Sequence, residues 1–307
     1  MEIVRGLKIP EAQQRGCVLT VGNYDGVHLG HQQMLKSLRQ HAGRLGLPAT
    51  VLVFEPSSKE FIDPEGAPPR LTRWREKCLA LAACGVDRLV TLRFDERIRA
   101  MDPRAFVDEL IVGALGTRHM VIGDDFRYGC RAAGNIETLV EAGRERGFTV
   151  EQMPPYVLDA VRVSSTAVRQ RLERGDFAGA ERLLGRPYRM QGRVVHGQAL
   201  GRGLGFPTAN LRLGRRKTAV EGVLAVRARG SDGVSRAGVA SLGTRPTVGG
   251  IEPLLEVHLF DFEGDLYGRT LEVEFVAKLR DERKFASLDS MVEQMRRDAA
   301  EARRLLT

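Results

Sequence analysis

Cys17-Val18-Leu19-Thr20-Val21, followed by Gly22-Asn23-Tyr24-Asp25-Gly26-Val27-His28-Leu29-Gly30-His31, is the stretch on which the fold turns. A short apolar run breaks into a Gly-rich turn and then into the periodic segment 32–45, where Met34, Leu35 and Leu38 share one helix face. That order reads as strand, loop and helix. In an open α/β sheet ligands bind beyond the carboxyl ends of the strands. A Gly-rich turn at a helix N-terminus suits phosphate there, because free N–H groups and the helix dipole point at it. His28 and His31, with Gly30 letting the backbone approach closely, can each donate a hydrogen bond to a polyphosphate and stabilise charge that develops during transfer. His-x-Gly-His is thus a nucleotidyl-transfer signal, and a purely structural Gly/His turn is the competing reading.

Working outward, apolar runs at 17–21, 49–54, 88–92, 119–122 and 149–153 alternate with amphipathic segments at 32–45, 74–84, 103–115 and 135–146. Strand and helix in alternation predict an open α/β sheet of five parallel strands, Rossmann-like in kind. Two short helices are expected at 166–174 and 177–184, after which Gly185-Arg186-Pro187 breaks the pattern. Beyond it the period becomes two, with strands expected at 189–195, 223–229, 236–241, 254–260 and 271–279 between Gly-rich turns. A small antiparallel β-barrel follows, with a helix at 288–306 docked on it through Leu288, Met291 and Met295. The domains are therefore read as 1–185 and 186–307.

Composition narrows the class. At 43% hydrophobic and 28% charged, the 307 residues match a folded soluble chain and not a disordered one. Glu2, Arg5, Lys8, Glu11 and Arg15 prevent an apolar leader, and no run of about 20 apolar residues is present, so neither secretion nor membrane insertion is expected. Cys17, Cys78, Cys84 and Cys130 form neither a C-x-x-C pair nor a metal-finger spacing, which points to reduced thiols and a cytoplasmic location. The net charge of +8 divides as +2 over residues 1–185 and +6 over 186–307. Its one dense cluster there is Arg212, Arg215, Arg216 and Lys217, and aromatics at 6% are too sparse for a base-stacking platform. An anionic small molecule explains the excess as well as nucleic acid does.

A second motif supports the first. Val163-Ser164-Ser165-Thr166-Ala167-Val168-Arg169 places three hydroxyls at a helix start and an arginine one turn along, suited to β and γ phosphates; an ordinary N-cap is the plainer reading of the hydroxyls. The pair His28-x-x-His31 and Ser164-Ser165-Thr166-x-x-Arg169 resembles the nucleotidyltransferase superfamily. Gly22-Asn23-Tyr24-Asp25-Gly26-Val27-His28 with Gly123-Asp124-Asp125-Phe126-Arg127-Tyr128-Gly129 narrows the resemblance to bacterial bifunctional riboflavin kinase/FAD synthetase. Tyr24 and Tyr128 stand where that family usually has phenylalanine. The resemblance implies that FMN attacks the α-phosphate of ATP, giving FAD and pyrophosphate. It assigns His28 and His31 to the ATP phosphates, Arg169, Ser164, Ser165 and Thr166 to the departing pyrophosphate, and Asp125 and Phe126 to substrate positioning, with Gly22, Asn23, Asp25 and Gly26 in the nucleotide-binding turn. The FMN phosphate is already anionic, so such a site needs no strong general base.

The second half carries a separate set. Gly201-Arg202-Gly203-Leu204-Gly205-Phe206-Pro207-Thr208-Ala209-Asn210 combines a loop able to wrap phosphates with two neutral oxygen donors, Thr208 and Asn210, of the type that ligates Mg²⁺. Gly-Phe-Pro-Thr-Ala-Asn, Pro207 included, resembles the riboflavin kinase signature. In Leu254-Leu255-Glu256-Val257-His258-Leu259-Phe260 a strand would turn Leu255, Val257 and Leu259 to the core and Glu256, His258 and Phe260 to the other face. Riboflavin offers a neutral hydroxyl of very high pKa, so Glu256 is the expected general base, matching the family glutamate. Similarity extends to 238–247, 265–268 and 279–288; Leu224 departs from the family's common tyrosine. The implied ligands are ATP with Mg²⁺, riboflavin, FMN and FAD, with no nucleic acid and no membrane. Two alternatives stay open: an adenylyltransferase for another metabolite with a degenerate kinase half, and an RNA binder whose His-x-Gly-His is similar to that of class I tRNA synthetases.

Overall fold

Valine, leucine and threonine crowd the first strands, and both faces of such strands must be covered, which calls for a parallel sheet between two helical layers. The computed structural model, which describes residues 1–7, 16–197, 200–247 and 250–307, has that arrangement; Lys8, Glu11 and Arg15 of the expected leader reading lie outside the described residues. Its strands are β1 (Glu2–Arg5), β2 (Cys17–Val21), β3 (Ala49–Phe54), β4 (Arg88–Leu92), β5 (Thr117–Gly123) and β6 (Thr149–Met153). They run parallel in the order β1-β4-β3-β2-β5-β6. The sheet thus has six strands where five were expected. Glu-Ile-Val-Arg is a four-residue edge strand in which only Val4 is buried, too short and polar for its period to register.

Neighbouring residues feed opposite layers. Val18, Val51, Leu89 and Val121 pack with Leu35 and Leu38 of α1 (Leu29–Leu45) and Leu81 of α2 (Trp74–Ala83). Leu19, Leu52, Val90, Met120 and Ile122 pack on the other side with Leu139 of α3 (Ile136–Arg146) and with Leu110 and Ile111 of the segment before β5. Each such leucine contributes roughly 1.5–3 kcal/mol by leaving water. The segment expected as one α-helix over 103–115 differs: Phe106–Ala114 is a π-helix, and the Leu115 N–H reaches the Leu110 carbonyl at 3.1 Å. The wider coil turns Phe106, Val107, Leu110 and Ile111 all inward. A tight hairpin, β7 (Val157–Leu158) with β8 (Val161–Arg162), closes this unit, its corner made by Asp159 and Ala160 at positive φ.

The chain forms two compact units: Met1–Ala67 with Trp74–Val163, and Pro68–Arg73 with Ser164–Thr307. In the second, helices α4 (Ser165–Glu173) and α5 (Phe177–Leu184) precede β9 (Arg189–Val195), β10 (Ala209–Arg212), β11 (Gly222–Arg229), β12 (Ser235–Thr247), β13 (Gly250–Leu259) and β14 (Thr270–Arg280). These six strands close into a barrel in the order β10-β13-β12-β11-β14-β9. Strand β10 lies inside the expected phosphate loop motif and escapes a period-two search because it is four residues long. The compact unit begins at Ser164, upstream of the 185/186 change of period. Phe177 of α5 stacks on Phe275 of β14 at 5.9 Å between ring centroids, tying the helices to the barrel. The strap 68–73 joins it through carbonyls: Arg169 Nε donates to Pro69, the Tyr188 hydroxyl to Leu71, and Arg215 Nη1 to Arg70 and Leu71. Arg215, one of the expected basic cluster, is therefore a buried structural donor.

The C-terminal helix α6 (Leu288–Leu306) docks on the barrel with the face expected, since Ala302 and Leu306 continue the row of Leu288, Met291 and Met295, but it does so mainly through its second half. Leu288 is 58% exposed and Met291 and Met295 are half-buried, whereas Ala302 and Leu306 pack on Ala225 and Phe260. Docking is set by a charge pair in the helix's second half: Arg280 grips both carboxylate oxygens of Asp298 at 2.8–3.1 Å. Phe260, expected on the face away from the core, is consequently buried, with Arg303 lying over its ring at 4.2 Å.

Candidate functional site

Strand β2 has β3 on one side and β5 on the other, so the chain leaves it at the point where strand order reverses, and the Gly22–His28 turn stands over that crevice. The turn is tight. Gly26 lies at φ 84°, and Tyr24 (φ 48°) and Val27 (φ 42°) hold left-handed backbone that side chains rarely accept. Burial fixes both, at 1% exposure each. The Tyr24 hydroxyl pairs with Thr20 Oγ1 at 2.6 Å, which is how this chain accommodates tyrosine in place of phenylalanine. Tyr128 is accommodated similarly, with its hydroxyl 3.1 Å from Thr138 Oγ1. Asn23 is exposed and Asp25 half-buried.

His28 is the N-cap of α1, its Nδ1 accepting from the His31 N–H at 3.3 Å. The helix therefore begins three residues earlier than its apolar period indicates. A Cβ on Gly30 would approach the His28 ring to 3.3 Å, so glycine is what lets that ring lie across the first turn. The His28 and His31 rings stack at 3.6 Å, with Tyr24 tilted against His31 at 4.8 Å. Burial, with the neighbouring His28 and Lys77, holds His31 well below the usual imidazole range, so the ring is neutral at pH 7. Its Nδ1 is buried with no hydrogen-bond partner, a group poised for a ligand.

Asp125 is exposed, its carboxylate 3.7 Å from Arg162, which binds Asp124 at 2.7 Å. Phe126 is half-buried and stacks on Tyr128 at 5.7 Å. Ser164 does cap a helix: its hydroxyl accepts from the Ala167 N–H at 3.1 Å. Ser165 opens α4, Thr166 is exposed and Arg169 is held by Pro69; all four belong to the second compact unit, and His28 and His31 to the first. Sequence reasoning missed a cavity of about 440 Å³ lined by Arg5, Gly6, Glu55, Trp74, Thr91 and Arg93, at the carboxyl ends of β1, β3 and β4. Its lining carries both signs of charge, Arg5 and Arg93 against Glu55, beside the Trp74 indole. No motif marks it, since its residues are scattered over four elements.

In the barrel, Asn210 on β10 is paired directly with Glu256 on β13, and Glu256 with Ser241 on β12. Residues paired across strands share a face, and the alternating Leu211, Leu255 and Val257 are fully buried inside, so the polar row lies on the outer surface of the barrel wall. The Gly-rich segment roofs it. A Cβ on Gly197 would come within 2.4 Å of the Asn210 amide, and one on Gly201 within 2.3 Å of the Phe206 carbonyl, so both contacts require glycine. Gly201 also accepts from the Leu204 and Phe206 N–H groups, Gly205 turns at φ 81°, Gly203 is exposed, and Pro207 offers its carbonyl to His258 at 2.9 Å. Asn210 is 5% exposed and its Oδ1 has no partner; Thr208 is half-buried beside it in sequence. A buried neutral oxygen without a donor is the kind of group that ligates a hard divalent cation. Sequence alone did not single out Glu282, whose Oε1 accepts from Ser241 at 2.7 Å; only strand register discloses it. Leu224 is fully buried in β11, so packing fills the place of the family's tyrosine.

Comparison with known proteins gives two family matches: residues 10–167 match the model described as FAD synthetase, and residues 184–306 the one described as riboflavin kinase. The chain is 49% identical over 306 residues to the bifunctional riboflavin kinase/FMN adenylyltransferase of Pseudomonas fluorescens, covering 99% of this chain and 98% of that one. It is 46% identical over 304 residues to the protein of the same name from Escherichia coli K12, covering 99% and 97%. Among solved structures, a Streptococcus pneumoniae chain described as a macrolide-efflux protein superposes with a TM-score of 0.79 at 29% identity, covering 97% of both chains. Among the described residues of the present chain no helix is long and apolar enough to cross a membrane.

Proposed function

This chain belongs to the family of bifunctional riboflavin kinase/FMN adenylyltransferases, and from that premise we propose how its residues divide the work. The established reactions are ATP-dependent phosphorylation of riboflavin to FMN and adenylylation of FMN to FAD with release of pyrophosphate. Residues 1–185 carry the second reaction and 186–307 the first. In the kinase half, Glu256 accepts the proton of the riboflavin hydroxyl as the γ-phosphoryl group arrives. Thr208 and Asn210 would hold Mg²⁺, whose charge would offset that of the triphosphate, and Gly201, Gly203, Gly205 and Pro207 shape the loop over the nucleotide. The observation that supports this most directly is Asn210, buried opposite Glu256 with an oxygen that has no partner.

In the adenylylation half, FMN arrives with its nucleophile already charged. The residues need only align it and steady charge at the α-phosphate. His28 and the neutral His31 donate hydrogen bonds to the ATP phosphates, Gly22, Asn23, Asp25 and Gly26 present the turn, and Asp125 and Phe126 position the substrates. Ser164, Ser165, Thr166 and Arg169 receive pyrophosphate. Cytoplasmic operation fits the four free cysteines. Incubation of the pure protein with riboflavin, ATP and Mg²⁺, followed by separation of the flavins, should give FMN and then FAD. FMN formation that needs no divalent cation would remove Thr208 and Asn210 as metal ligands.

A further inference from the structure

Away from the nucleotide turn, His41 of α1, His119 of β5 and Glu151 of β6 present ligand atoms that all lie within 4.8 Å of one another. His41 is ten residues beyond His31 on the same helix, about 15 Å along its axis, so this group is separate from the phosphate-facing histidines. His41 Nε2 lies 2.9 Å and His119 Nε2 3.9 Å from Glu151 Oε2, and the two rings stack at 3.8 Å. His119 is 6% exposed, and its Nε2 is buried with no hydrogen-bond partner. Its other nitrogen, Nδ1, meets Thr149 Oγ1 at 2.6 Å. With Nδ1–H donating to that hydroxyl, the Nε2 lone pair is directed into the cluster, the tautomer a metal ligand requires. Burial and the adjoining His41 hold His119 below the usual imidazole range, which keeps it neutral and able to ligate. Ser37 Oγ donates to Glu151 Oε2 at 2.7 Å and orients the carboxylate as outer partners of metal ligands do.

We propose that His41, His119 and Glu151 bind one divalent transition-metal ion of the Zn²⁺ class, leaving a coordination position open to solvent. Two imidazoles and one carboxylate suit Zn²⁺, Co²⁺ or Ni²⁺ and not Mg²⁺, which prefers an oxygen shell. The site is thus chemically distinct from the one that serves ATP. Separations of 2.9 and 3.9 Å bracket the spacing of about 3.4 Å between ligands placed 2.0–2.1 Å from a tetrahedral ion. One group opposes entry: exposed Arg44 places Nη2 3.3 Å from His41 Nε2 and must turn into solvent. Once bound, the ion clamps α1 to β5 and β6 and stabilises this unit by mass action.

The test is equilibrium dialysis of the metal-stripped full chain against Zn²⁺ in excess Mg²⁺, with metal counted per chain. Wild type should take up one Zn²⁺, and His31→Ala should do the same. His41→Ala and Glu151→Gln, both at half-buried positions that tolerate change, should weaken binding at least about tenfold, and Arg44→Ala should tighten it. Zn²⁺ should also raise the melting temperature followed through Trp74 in wild type and in His31→Ala, and not in His41→Ala or Glu151→Gln. No uptake by wild type, or equal uptake by the His41→Ala/Glu151→Gln double variant, would overturn the proposal.

Discussion

His31 is wedged between the His28 and Tyr24 rings, and the environment that keeps it neutral also makes it sensitive to acid. Its folded pKa lies below the ordinary value of about 6.5, so the unfolded chain takes up the proton first and stability falls as pH drops below that value. His119, depressed by burial and by stacking on His41, acts in the same direction and window. Urea unfolding followed by the lone tryptophan, Trp74, should show a midpoint that declines between pH 8 and pH 5.5, less steeply in His31→Ala. An identical decline in the two proteins would mean that His31 titrates normally. For chemistry, Glu256→Gln should lower FMN formation by about 10²–10⁴-fold while leaving conversion of supplied FMN to FAD intact. Loss of both activities together would reject Glu256 as a base for one step only. These side chains were readable from motifs, because phosphate chemistry demands particular residue types at fixed spacing. The unpartnered state of His31 Nδ1 and Asn210 Oδ1 was not, since it depends on what packs around them.

At the scale of elements, amphipathic period foretold that 288–306 is a helix and which face it turns to the barrel, but not how far along that face the contact runs. Leu288 in its first turn is exposed while Asp298, Ala302 and Leu306 are buried, because the Arg280–Asp298 pair fixes the docking point. Phe260→Ala, which empties the ring beneath this helix, should cost about 3–5 kcal/mol in denaturant unfolding of the barrel. Leu288→Ala should stay within about 0.5 kcal/mol, and a larger loss there would mean that the first turn also packs on the barrel. Strands β1 and β10 were illegible for a related reason: four residues hold barely one alternation, and only hydrogen bonding to β4, or to β9 and β13, makes them strands.

At the scale of the molecule, two reactions on one chain share FMN as product and substrate. Glu256→Gln and His31→Ala proteins, each unable to make FAD from riboflavin alone, should do so when mixed, as chromatography of the flavins would show; a mixture that stays inactive would mean that FMN formed by one chain does not reach another. By itself the sequence determined the two-part architecture, the parallel sheet followed by a barrel, and the two nucleotide motifs. Apolar period and turn chemistry are local properties of the chain, and phosphate-binding loops are short enough to be local too. Tertiary structure alone decided that β2 lies at the reversal of strand order, that Asn210 faces Glu256 on the outside of the barrel, and that His41, His119 and Glu151 converge from a helix and two strands. Those placements are set by pairing between residues tens of positions apart, whose register follows from packing the whole core and not from any one segment.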